Sequence, residues 1–182
     1  MKTKIMAGVA IAAIAATGVV GGFAIANGGL NSGIAAAASD HSLTIKASDF
    51  AAYSATDSTT TYYGWTISMF MAGRNEGGNG VIIDANGSAT PAGLTFPTVN
   101  RTSYAGAYYK SVTISGIVYT DSPDFRVYGY TSAGVRSELT ISGVTSKTID
   151  FISDIVSFKL VNFVNSGVGK VGFTSIAVTY YC

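Results

Sequence analysis

A chain of 182 residues is long enough for one well-buried domain and too short for two comfortable ones. Its 11 Lys and Arg stand against 10 Asp and Glu, a formal charge of +1, so bulk electrostatics gathers neither nucleic acid nor an anionic membrane surface. One Cys and one His exclude an internal disulfide and a clustered structural zinc site.

The chain opens on "MKTK" and an uncharged run from Ile5 to Ala26, ending in the small-x-small triplet Ala24-Ile25-Ala26; Ala36-Ala37-Ala38 is a second such site. A basic start, an apolar stretch and a cleavable site predict a signal peptide over residues 1–26. If Lys2 and Lys4 leave with it, 11 − 2 = 9 basic residues face 10 acidic ones and the remainder is nearly neutral. The competing reading is a retained helix. At about 1.5 Å per residue the run reaches across a hydrocarbon core of about 30 Å, and Gly8, Ala12 and Ala16 have the spacing of small residues in packed helices. Residues 5–26 would then form an anchor or the helical core of a type IV pilin-like fibre. "NGGLNSGIAAAA" (27–38) has the composition of a flexible spacer.

Abundant Gly (22) and Tyr (11), few Pro, and recurrent Ser, Thr, Val and Ile predict strands joined by tight turns. The first strand lies in "SDHSLTIKASDF" (39–50), where Leu43, Ile45 and Ala47 alternate with Thr44, Lys46 and Ser48. "AAYSATDSTTT" (51–61) reads as holding nothing that could pair with it locally. "TYYGWTISMFM" puts Tyr63, Trp65, Ile67, Met69 and Met71 on one side; "AGRNEGGNG" is a loop and "VIID" a short strand. Residues 85–106 read as an extended surface excursion, because Pro91 and Pro97 each deny a ladder a donor. "YYKSVTISGIVYT" sets Val112, Ile114 and Val118 on one face; after the turn "DSPD", "DFRVYGY" sets Phe125 and Val127 against Arg126 and Tyr128. "VRSELTI" buries Val135, Leu139 and Ile141, "DIVSFKLVNFV" buries Val156, Phe158 and Leu160 with Lys159 outward, and "KVGFTSIAVTYY" aligns Ile176, Val178 and Tyr180. One helical turn fits Thr148 to Ser153. The sum is an all-β, jelly-roll-like β-sandwich of about eight strands over 51–182, preceded by an N-terminal hydrophobic segment.

Chemistry is mostly an absence. His41 lies beside no nucleophile elbow, so a solvated surface histidine is the reading; "GGNG" (77–80) lacks the Lys-Ser/Thr of a phosphate loop; and Glu76 and Glu138 are the only glutamates. No catalytic, cofactor or metal residue is expected. Asp121 with Asp124, and Asp150 with Asp154, are turn caps first and calcium ligands only as a remote second. The sequons at Asn86 ("NGS") and Asn100 ("NRT") are glycosylation candidates in an exported chain. Cys182 is an inert terminal thiol or a link to another copy.

A strand behind a signal cut and a spacer either completes its own sandwich or fills a sheet edge in the next molecule, and the residues alone favour the first slightly. The "GGFAIANGGLNSG" to "HSLTIKASDF" junction, together with "YYGWTISMF", resembles exported fibre subunits related to TasA and camelysin, including archaeal bundling pili, threads and cannula proteins. That resemblance implies a jelly-roll sandwich assembling by donor-strand complementation into a surface filament with copies of itself as partner, as in adhesion and biofilm. Residues 39–50, with Leu43, Ile45 and Ala47, would be the donor, and the membrane would be met only during export unless the N-terminal segment stays. A charged content of 12% fits a subunit that packs against many copies. A third class is a secreted carbohydrate-binding or adhesive sandwich, for which Tyr104, Tyr108 and Tyr109 are the sugar-stacking candidates.

Overall fold

The computed structural model describes residues 39–77, 80–86, 90–99, 107–121, 123–163 and 168–182. The hydrophobic segment and spacer read over residues 1–38, and also Asn100 and Tyr104, lie outside them. Among the described residues no helix is long and apolar enough to cross a membrane.

The described residues are all-β: β1 (Asp40–Lys46), β2 (Ser54–Tyr62), β3 (Trp65–Arg74), β4 (Val81–Asn86), β5 (Ala92–Thr95), β6 (Tyr108–Ser115), β7 (Val118–Asp121), β8 (Phe125–Thr131), β9 (Arg136–Ile141), β10 (Ser146–Asn162), β11 (Val168–Phe173) and β12 (Ser175–Tyr181), with a short 3-10 turn at Ala47–Asp49. The strands run in the order β1-β12-β6-β10-β5-β3-β4-β11-β7, with β2 added beside β3 and the β8–β9 hairpin beside β10. Every ladder between these strands is antiparallel. The sheet curls on itself into a jelly-roll-like sandwich, and β10 makes the turn. Its first residues, Ser146 to Asp150, pair with β6; its last, Lys159 to Asn162, pair with β5 on one edge and β8 on the other. Register shifts at Asp150/Ile155 and Ile155/Ser157 mark the bulges that bend it.

Apolar alternation supplies the core. Ile45, Val112, Ile114, Ile176 and Val178 meet Ile67, Leu94, Phe125, Phe158 and Leu160 in one buried cluster. At its centre Phe96 stacks on Phe158 at 4.2 Å, Tyr109 meets Phe158 edge-on at 4.9 Å, and Trp65 meets Tyr109 at 5.6 Å. The buried Asn162 ties three segments together. Its Nδ2 donates to the carbonyls of Ile83 (3.1 Å) and Gly169 (2.7 Å), and its Oδ1 accepts from the Asp124 amide (3.2 Å).

Among the described residues twelve strands replace the expected eight or so, and each difference has a local cause. The polar stretch expected to pair with nothing contains β2, hydrogen-bonded to β3 from Thr61↔Thr66 to Ser58↔Met69. Threonine is a good strand former whose hydroxyl suits a solvated edge. Tyr63 and Gly64, at φ 48° and 80°, form the two-residue turn between them, so Tyr63 is 80% exposed and does not share the inner side of Trp65. The expected excursion at 85–106 holds β5 in mid-sheet, with Leu94 and Phe96 fully buried. Pro91 and Pro97 bracket β5 instead of interrupting it, so no ladder donor is lost. Gly116, at φ 67°, ends β6 and separates Val118 from Val112 and Ile114: Val118 is 62% exposed and Ile117 is buried instead. The bulge in β10 buries Ile155 and leaves Val156 half-buried, and the helical turn expected at 148–153 is part of the same strand. On β9 only Ile141 is buried; Val135 and Leu139, expected inside, are 64% and 40% exposed.

Candidate ligand-binding face

The outer face of the curled sheet is built by the residues out of phase with the core. Buried Ile67 and Met69 leave Ser68 and Phe70 pointing outward from β3, and buried Leu94 leaves Gly93 and Thr95 on β5. Likewise Phe158 and Leu160 turn Lys159 outward on β10, and Val127 turns out Tyr128 and Tyr130 on β8. The ladders align these residues. Thr59, Ser68, Thr95, Lys159, Tyr128 and Glu138 face one another in turn across β2, β3, β5, β10, β8 and β9. At about 4.8 Å per strand the row spans roughly 24 Å.

Along this face lies a groove of about 500 Å3, lined by Asp57, Phe70, Pro91, Thr95, Tyr128, Tyr130 and Lys159 among others. A second hollow of about 560 Å3 shares Tyr130 and Lys159 and continues past Thr98, Ser132 and Val156. Cations hold both tyrosine rings: the Arg136 guanidinium lies 4.8 Å from the Tyr128 ring centre, and Lys159 Nζ lies 5.7 Å from that of Tyr130. Gly93 is required at the floor, because a Cβ there would stand 2.3 Å from the Leu160 carbonyl oxygen. Next along β8, Arg126 stands opposite Val161, which lines the groove. It donates to Asp124 through Nε and Nη2 and to Glu138 through Nη1 at 2.6 Å, and is kept more firmly protonated than an ordinary arginine, first by Asp124. Aromatic rings, hydroxyls, one ammonium and one carboxylate along an open trough suit a neutral, hydroxyl-rich, elongated ligand.

Those residues singled out from sequence that the structure describes lie elsewhere. Tyr109 is buried at the core, its hydroxyl donating to the Pro97 carbonyl at 2.7 Å, and is no surface platform; burial pushes its pKa up. Tyr108 is half-buried and packs on Tyr181 at 5.3 Å. His41 contacts Ser39 Oγ at 3.1 Å and stacks on Tyr180. Asn86 ends β4, its Cα opposite that of Val168. Asp124 is committed to Arg126, and among the described residues no group of three or more His, Cys, Asp or Glu converges. Cys182 is buried, its amide and carbonyl bonded to Ser39. In this single chain β1 pairs with β12 from Asp40↔Tyr181 to Lys46↔Ser175. Ile45 and Ala47 are buried in the chain's own core, and Leu43 packs against it half-buried.

The face was not found from sequence because its residues come from six strands, and "DFRVYGY" alone gave a hint in its alternating Arg126, Tyr128 and Tyr130.

No protein-family model matches the chain, and neither does any curated protein. Among solved structures, a low-affinity xylan-binding module, CBM86, from the gut symbiont Roseburia intestinalis is similar at a TM-score of 0.35 and 13% identity, covering 76% of this chain and 94% of that one. A mutant of CBM29-2, a family 29 carbohydrate-binding module, is similar at 0.40 and 11%, covering 78% and 92%. Likenesses this distant carry nothing about ligand or activity.

Proposed function

We propose that the protein is an exported β-sandwich that binds a glycan chain along its outer face. The observation that carries this reading is the trough of about 500 Å3 that presents Tyr128, Tyr130 and Phe70 beside Lys159, Thr95 and Asp57, a size and mixture typical of small-ligand sites. Tyrosine offers a flat apolar face with a polar tip, which is what a sugar ring with one apolar face and a hydroxyl rim matches. The reading is tested by titrating the full chain with soluble neutral polysaccharides in affinity electrophoresis. Retardation that Tyr128→Ala and Tyr130→Ala abolish supports it; unretarded migration on every polysaccharide, or retardation that both variants keep, removes it.

A second reading rests on β1. Among the described residues this strand ladders with β12 alone, yet it delivers Ile45 to the core, so the same strand from a neighbouring copy would restore every contact while linking the two. Repetition of that exchange gives a surface fibre of the kind the TasA-like resemblance implies, with Leu43, Ile45 and Ala47 as donor residues. Electron microscopy decides it: fibres lost on deleting residues 39–50 support exchange, and fibres that persist without that strand, or monomers throughout, refute it.

A further inference from the structure

Strand β9 closes the β8 side of the curled sheet: among the described residues it pairs with β8 alone, leaving its other edge without a ladder. Bare edges are usually blunted by charge, bulges or cover. Here the charges alternate in a self-complementary way. Arg136 and Glu138 flank Ser137 on one face, while Val135 and Leu139 stand two residues to either side of it on the other.

We propose that β9 is the seam of a two-fold dimer in which the β9 strands of two copies pair antiparallel about an axis through Ser137. That register is fixed by chemistry. It sets Arg136 opposite Glu138 of the partner subunit, and the symmetric pair repeats the contact, giving two cross-strand ion pairs on the outer face. It also sets the exposed Val135 against the partner's Leu139, burying apolar area that now meets water. A slip by one residue would place Glu138 opposite the partner's Arg136 no longer and would turn the apolar pair to the wrong face. Beside the seam, on the inner side, lies a hollow of about 360 Å3 lined by Val127, Leu139, Ile149, Phe151 and Ile152, and Ile152 is fully exposed. The partner's Val135 would lie across the mouth of this hollow. In the dimer the outer faces of both copies join into one surface, the row from Thr59 to Glu138 continuing at the partner's Arg136. The occupant of this edge is therefore a second copy of the chain, bound through an isologous contact distinct from any exchange of β1.

Cysteine cross-linking of the full chain reads the register directly. Ser137→Cys should form a disulfide-linked dimer under mild oxidation, whereas Thr140→Cys, which faces no copy of itself, should not; equal linking of the two, or none, overturns the proposal. Analytical ultracentrifugation supplies the second readout. Arg136→Glu, at an exposed position, should weaken self-association about tenfold or more, and so should Glu138→Lys, while a mixture of the two variants should associate because each then meets its opposite charge. A mixture no better than either variant alone, or a wild-type chain that stays monomeric at millimolar concentration, refutes the seam.

Discussion

Replacing Asn162 by alanine removes a hub that no neighbouring side chain can substitute. The residue is fully buried, and its amide serves the Ile83 and Gly169 carbonyls and the Asp124 amide, bonds that connect β10 to β4, to β11 and to the entrance of β8. Each bond contributes about 1 kcal/mol net, and stranding the partners in a dry interior adds to the loss, so the three together come to roughly 3 kcal/mol. A chain of this size shifts its melting temperature by about 2–4 °C per kcal/mol, which gives a fall of about 6–12 °C followed by circular dichroism. Asn162→Asp should fall at least as far, since it turns a donor toward two carbonyls into an acceptor. A change below about 2 °C for Asn162→Ala would show that water enters to bond the three groups, and the hub argument would fail.

Other outcomes are as specific. Ile45→Ala, at a site with no exposed surface, should destabilise by about 2–5 kcal/mol in urea unfolding and raise hydrogen exchange in β1 and β12 before the remaining strands. Gly93→Ala drives a Cβ onto the Leu160 carbonyl and should lower the melting temperature while weakening glycan retardation, because β5 and β10 floor the groove; an unchanged melting temperature would show that the two strands separate freely. The folded protein keeps the Tyr109 proton that the unfolded chain releases, since burial raises its pKa from 10.0. With more protons bound in the folded state, stability is constant below that value and drops at higher pH by up to about 1.4 kcal/mol per unit, a slope that Tyr109→Phe should reduce in urea titrations near pH 10 to 11.

Strands with two-residue alternation were legible wherever one face is apolar, as in β1, β4, β8 and β12. β2 was hidden because its nine residues carry hydroxyls on both faces, and nothing but its β3 partner reveals it. β5 was hidden by its prolines, which look like interruptions until the strand is seen to begin and end between them. The candidate face was less legible still. Tyr130 and Ser68 are distant in sequence and come near each other only through the two ladders of β10 and β5, which no local pattern encodes. The abundance of tyrosine announced platforms without saying which would be covered, and Tyr109 was drawn inside by the Pro97 carbonyl and by Phe158.

Strand β10 belongs to both layers, its start laddered to β6 and its end to β5 and β8. Neither layer can melt while the other survives, because each would take with it a stretch of the same continuous backbone. Unfolding should therefore be a single cooperative event, with amide protection at Ile114 on one side and Leu160 on the other set by the same opening free energy.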